Sequence, residues 1–65
     1  MINNRNCYLE MAIQPMQFAL HMTQNAKQYA TCATDATNIQ LIIDRLKEAI
    51  EITKEESVSA EVGKL

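Results

Sequence analysis

Apolar residues recur at every third or fourth position between residues 39 and 53, and this periodicity limits the segment to a helical fold. The apolar stripe consists of Ile39, Ile42, Ile43, Leu46, Ala49, Ile50 and Thr53. On an α-helix these residues cover an arc of about 120°, and charged residues occupy the opposite face. The pattern predicts an amphipathic helix over residues 39–56. Thr37 with Gln40 fits a capping box at its start, and Thr34 or Asp35 could cap it one turn earlier.

A second helical pattern covers residues 16–33 and presents an apolar face rich in alanine. This face consists of Phe18, Ala19, Met22, Ala26, Tyr29, Ala30 and Ala33. Because alanine leaves room for bulkier neighbours, we expect the face to pack against the stripe of residues 39–53. A turn within residues 31–37, where threonine competes with helix for local backbone bonds, then gives an all-α helical hairpin. A continuous helix is the alternative, because Ala33 and Ala36 favour helix.

The region around Pro15 leaves the N-terminal organisation open. Leu9, Ile13, Met16 and Leu20 align at helical spacing, and Ile2 extends this N-terminal stripe. Either one helix runs through Pro15 with a kink, or Pro15 opens a new helix and leaves a short N-terminal helix before it. A proline inside a helix costs about 3 kcal/mol or more, so we expect a break or kink near Gln14.

A chain of 65 residues and 7.4 kDa forms one domain. We expect residues 1–56 to form a single helical domain and residues 57–65, which lose the periodicity, to form a flexible tail. One small hairpin cannot bury its own core, the N-terminal stripe and the Leu41/Ile52 pair, which lies off the main stripe. The sequence therefore predicts oligomerisation into a helical bundle. The predicted partner or oligomer contacts are Leu9, Ile13, Met16, Leu20, Leu41 and Ile52.

Few residues offer catalytic or ligand-binding chemistry. His21 is the only histidine, and Cys7 and Cys32 are too far apart in sequence to form a paired metal motif with it. Gly63 is the only glycine, so a glycine-rich phosphate loop is excluded. We therefore predict a protein that is not an enzyme and has no catalytic residues, metal site or cofactor.

The charge distribution and the hydropathy of the chain indicate which classes of partner it can bind and which compartment it occupies. Residues 1–33 carry a net charge of +1 and residues 34–65 carry −3, and neither half has the basic patch that nucleic-acid binding requires. The longest apolar run is three residues, which excludes a membrane-spanning helix. The N-terminal residues lack the apolar core of a signal peptide, and two cysteines do not make a disulfide framework. We expect a cytoplasmic protein that contacts neither nucleic acid nor membrane.

The first half of the chain is rich in methionine and in side-chain amides and poor in charge, which suits a protein interface. The leading hypothesis is a small non-enzymatic interaction protein: a regulator, chaperone, adaptor or inhibitor. It would act by helix packing against itself and a protein partner. The alternative is a small-ligand-binding oligomer with a pocket between subunits. An enzyme that uses His21 and a cysteine is a third, less favoured hypothesis.

Overall fold

The computed structural model describes residues 4–62, with side chains through residue 57. It contains two helices, α1 (Asn4–Lys27) and α2 (Ala33–Val62), joined by residues 28–32. The helices lie antiparallel, because Arg5 contacts Glu56 at one end and Lys27 contacts Gln40 at the other. The predicted all-α helical hairpin is confirmed, and a single helix from 16 to 56 is excluded. Oligomerisation into a bundle stays a prediction.

The connection between the helices lies earlier than the sequence pattern indicated. It occupies residues 28–32, whereas the turn was predicted between residues 31 and 37. The backbone N–H of Ala36 already donates to the carbonyl of Cys32 at 3.0 Å, which places Cys32 at the start of α2. The last turn of α1 tightens through bonds to carbonyls three residues back, as in Tyr29 N–H to Ala26 O at 3.0 Å.

Asp35 explains why α2 begins before the threonine-rich segment ends. Its carboxylate accepts from the backbone N–H of Thr31 at 3.1 Å and lies near the Thr31 hydroxyl at 3.4 Å. An acid in the first turn also favours the positive end of the helix dipole. Thr37 does not cap the helix: its hydroxyl donates to the carbonyl of Ala33 at 2.9 Å. The predicted caps at Thr37, Thr34 and Asp35 itself were therefore misplaced.

Pro15 lies inside α1, and no break divides that helix. Of the two alternatives, one helix through Pro15 is confirmed, and a separate short helix before Pro15 is wrong. A kink near Gln14 stays a prediction. Pro15 is exposed, so the carbonyl of Met11, which loses its usual helical donor, is on the side that water can reach. The N-terminal stripe meanwhile continues on both sides of Pro15 and packs as one face.

The face of α1 that packs on α2 is the N-terminal stripe, and not the alanine-rich face that was predicted. Leu9, Ile13, Met16 and Leu20 are half-buried, and α2 is the only other described element that can cover them. Phe18 is 66% exposed, and Met22 and Tyr29 are exposed as well. The stripe packs inward because its leucine, isoleucine and methionine side chains are larger than alanine and offer more apolar contact to the core of α2. That core consists of Ile43 and Ile50, the only apolar side chains buried between residues 4 and 57.

α2 continues past residue 56 to Val62, beyond the end of the apolar periodicity. Ser57 is buried, and its hydroxyl donates to the carbonyl of Lys54 at 3.2 Å. The helix thus enters the segment 57–65, for which a flexible tail is expected. The division into a domain of residues 1–56 and a tail stays a prediction, and Ile2 and residues 63–65 lie outside the described residues.

Candidate interaction surface

The side of α1 that faces away from α2 carries a row of five exposed apolar or aromatic side chains between residues 8 and 22. We call this surface the outer seam, and it consists of Tyr8, Met11, Pro15, Phe18 and Met22. All five side chains are exposed in the hairpin. Their spacings alternate between three and four residues, which is the 3.5-residue period of a seam that packs against another helix. This regular spacing distinguishes the outer seam from scattered surface apolar residues, which are common on proteins.

The residues that flank the outer seam are uncharged and repeat every seven positions. Ala12, Ala19 and Ala26 line one side, and Gln14 and His21 line the other. Small residues on one flank allow close approach of a second backbone, and amide and imidazole groups on the other can exchange hydrogen bonds. His21 illustrates this capacity, because its Nε2 lies 3.4 Å from the amide nitrogen of Asn25.

Pro15 also shapes a shallow depression at the N-terminal end of the outer seam. This depression has a volume of about 510 Å³ and is lined by Cys7, Glu10, Met11, Gln14 and Pro15. All five belong to one face of α1, so the depression is open rather than enclosed. The thiol of Cys7 lies 3.9 Å from the thioether of Met11 and forms part of its wall.

The outer face of α2 has the same spacing but a different chemistry. It consists of Leu41, Arg45, Glu48, Ile52 and Glu55, all of them exposed. Arg45 and Glu48 form an ion pair of 3.4 Å between the two apolar positions. Leu41 and Ile52 are therefore separate apolar spots on a charged face, and not a continuous apolar surface.

The six predicted contact residues thus divide into two groups that the hairpin keeps apart. Leu9, Ile13, Met16 and Leu20 lie on the inner face of α1 and contact their own chain. Leu41 and Ile52 lie on the outer face of α2. A partner role for any of the six stays a prediction. Sequence reasoning missed the outer seam, although the seven-residue repeats of Tyr8, Pro15 and Met22 and of Met11 and Phe18 carry its signal.

A second depression follows the boundary between the two helices, with a volume of about 420 Å³. Leu20 and Ile50 form its floor between the helices, and its rim is polar. The rim residues are Gln17, Lys47, Glu51 and Lys54. Because the rim carries both positive and negative side chains, it favours neither an anionic nor a cationic ligand over water.

The described residues form no cluster of three His, Cys, Asp or Glu side chains that could hold a metal ion. Neither of the two described helices contains a stretch long and apolar enough to cross a bilayer. Comparisons with protein family models, with curated proteins and with solved structures return no match for this chain.

Proposed function

We propose that this chain is a non-enzymatic interaction protein that acts by packing helix against helix, with the outer seam of α1 as its contact surface. The observation that carries the proposal is the exposure of a regular apolar seam without a single charged residue among its five positions. Interface cores are depleted in charge and enriched in aromatic residues and methionine. The outer seam has this composition, and a surface meant for water does not.

The role we propose for it is that of a regulator, adaptor, chaperone or inhibitor, because the outer seam offers apolar contact area to a protein partner. Two exposed free thiols, Cys7 and Cys32, suit a reducing compartment, and we place its action in the cytoplasm. The net charge of −2 makes protein a better partner than nucleic acid.

A matched pair of variants tests the contact surface. Phe18→Gln removes an aromatic ring from the middle of the outer seam, and Leu41→Gln makes a similar polar change on the outer face of α2. Affinity purification of tagged protein from its source cells, with quantification of bound proteins, compares them with the original chain. We expect Phe18→Gln to lose most of a stoichiometric partner and Leu41→Gln to keep it. Loss of the partner only with Leu41→Gln would contradict the proposal.

A second candidate function is binding of a small apolar ligand in an oligomer. The depression beside Pro15 favours it, because a neighbouring subunit placed on the outer seam would roof that space. Mass spectrometry of the denatured purified protein would detect a retained molecule. Release of a single compound in molar proportion would support ligand binding over a purely protein-binding role.

A further inference from the structure

We infer that a second copy of this chain covers the outer seam, with the two α1 helices antiparallel across a two-fold axis. The inference rests on the proposed function and names the partner of the same surface. It is carried by the area that the hairpin leaves exposed, by the register that the seam spacing defines and by the absence of charge on the seam.

The exposed area is the first argument. The chain has an accessible surface of 5050 Å², whereas a compact monomer of this mass exposes about 4,200 Å². The radius of gyration is 15.3 Å, against about 11 Å for a compact chain of this length. The excess of several hundred Å² is comparable to the area of about 800 Å² that each partner buries in a standard interface. Of the eight large apolar side chains that the described residues expose, four lie on the outer seam, so a second copy placed there would cover half of them.

The register is the second argument. In an antiparallel pair, alternate seam positions of one helix face those of the other. The seam spacing allows two such registers. The one that places Phe18 in the space beside Pro15 sets Met11 of one copy opposite Met22 of the other, and we assign that register. The space that the proline leaves along the seam is then filled by an aromatic ring. In a parallel pair Pro15 would face Pro15 and Phe18 would face Phe18, which leaves one layer underfilled and another crowded.

The flanks of the seam agree with the antiparallel arrangement. On one side Ala12 of one copy lies beside Ala19 of the other, so the two backbones can approach closely. On the other side Gln14 lies beside His21, and an amide can hydrogen-bond to an imidazole. A parallel pair would instead set these polar side chains beside the alanines. Antiparallel helices also align their dipoles favourably.

The outer face of α2 is a less favourable contact surface for the second copy than the outer seam of α1. Packing the outer seam there would bury the Arg45–Glu48 pair, whose charges are now in water. Such a contact would also be head-to-tail and would build a ring or a filament, whereas a seam-to-seam contact closes as a dimer.

Sedimentation equilibrium at tens of micromolar protein tests the dimer. We expect a species of twice the 7.4 kDa chain mass. Phe18→Asp should weaken the dimer at least about 100-fold, because a carboxylate would be buried without a partner. Leu41→Asp, the matched control on α2, should change the dissociation constant less than about threefold. A monomeric original chain, or a dimer broken by Leu41→Asp and not by Phe18→Asp, would overturn the inference.

Cross-linking tests the orientation without relying on a disruptive variant. Two proteins are prepared, one with Met11→Cys and one with Met22→Cys. Both also carry Cys7→Ser and Cys32→Ser, so each has a single cysteine, and the two are mixed and oxidised. The antiparallel pair should give mainly the mixed disulfide, since two copies of position 11 would lie about 16 Å apart along the helix axis, beyond disulfide reach. Mainly 11–11 and 22–22 products would establish a parallel pair and overturn the inference.

The proposed function and the dimer can fail separately. If the original chain is monomeric and a different protein still binds in a manner that Phe18→Gln abolishes, the seam remains an interaction surface and only the second copy is wrong. If a seam variant changes neither self-association nor partner capture, the proposed function fails as well.

Discussion

The two outer faces of the hairpin use the same spacing to present opposite chemistry to solvent. On α2 the five positions are Leu41, Arg45, Glu48, Ile52 and Glu55, and three of them are charged. On α1 the five positions of the outer seam carry no charge at all. The difference extends to the whole helices, with 10 charged residues among the 30 of α2 and 3 among the 24 of α1. Only α2 has an outer face suited to water.

The inner faces of the two helices also differ, because the inner face of α2 is the more deeply buried. Among the side chains between residues 4 and 57, α2 contributes both buried apolar ones, Ile43 and Ile50, whereas the only buried side chain of α1 is Asn6. Its amide oxygen accepts from the guanidinium of Arg5 at 3.1 Å. α1 is thus apolar on both sides and deeply buried on neither, a pattern typical of a helix that lies between two neighbours. The hairpin supplies one of those neighbours.

The largest expected effect concerns the core that α2 supplies. Ile43 is 3% exposed and its sequence neighbour Ile42 is 48% exposed, so the same substitution at both positions compares burial alone. Ile43→Ala should cost about 2–5 kcal/mol, which approaches the full stability of so small a domain. Ile42→Ala should cost less than about 1 kcal/mol. Urea unfolding followed by circular dichroism, at one protein concentration, measures both.

If the two isoleucine variants destabilise the protein equally, Ile42 is buried as Ile43 is, and the distinction between an inner and an outer surface of α2 fails. This result would mean that a second molecule covers Ile42 in solution. Repeating the unfolding at a tenfold lower concentration separates that case, because stability that comes from association falls with dilution.

α2 was predictable from sequence because two independent signals coincide there. The apolar stripe and the charged residues lie on opposite faces, so only one way of packing the helix buries the first and solvates the second. The stripe includes both buried isoleucines, Ile43 and Ile50, but it also includes Ile42, which is 48% exposed. Of the two residues expected at its centre, Ile43 is buried and Leu46 is half-buried. The helix start was misplaced because the contact that decides it, from Asp35 to the backbone of Thr31, follows from the path of the connection and not from local propensity.

α1 was only half predictable because it carries two apolar stripes and almost no charge to tell them apart. Leu9 and Ile13 on one side and Phe18 and Met22 on the other are all large apolar side chains. Which stripe turns inward depends on its fit to Ile43 and Ile50, and that is tertiary information. The outer seam was missed for the same reason: assigning Phe18 and Met22 to the core removed them from consideration as a surface.

Pro15→Ala should reduce the difference in helix stability between α1 and α2. Alanine restores the N–H that the helix lacks and is about 3 kcal/mol more favourable in a helix interior. The loss of proline also frees the unfolded chain, which offsets about 0.4–1 kcal/mol. We expect a net stabilisation of about 2 kcal/mol in urea unfolding, against a few tenths for the neighbouring control Gln14→Ala. No gain would indicate that α1 must bend at Pro15 to follow α2.

The next effect concerns the first turn of α2, where an acid serves both the connection and the helix dipole. Asp35→Ala should cost about 1 kcal/mol, because the Thr31 N–H loses its acceptor. Asp35→Asn keeps an acceptor and removes the charge, so it should cost about half as much. Glu51→Ala, in the middle of α2, is the control and should stay within about 0.5 kcal/mol. If Asp35→Asn is as damaging as Asp35→Ala, the charge and not the hydrogen bond carries the effect.

The smallest expected effect is at the open end of the hairpin, where Arg5 of α1 reaches Glu56 of α2. The Arg5 Nη2 to Glu56 Oε1 distance is 2.6 Å, and the two side chains are 49% and 55% exposed. Exposed pairs contribute about 0–1 kcal/mol, because water screens the charges and two long side chains lose freedom. A double-mutant cycle with Arg5→Ala and Glu56→Ala should therefore give a coupling below about 1 kcal/mol.

The Arg45–Glu48 pair within α2 gives the matched comparison for that cycle, because it joins the same kinds of group without joining two helices. Both couplings should shrink as salt is added, since the pairs are exposed to counterions. Hydrogen exchange then separates their roles. Loss of the Arg5–Glu56 pair should speed exchange near residues 52–57 and near the start of α1, because it loosens the only described ion pair between the helices, whereas loss of Arg45–Glu48 should leave that end unchanged. If loss of either pair changes hydrogen exchange equally, apolar packing alone holds α1 against α2. The charged residues of α2 would then keep its outer face solvated by water without stabilising the contact between the helices.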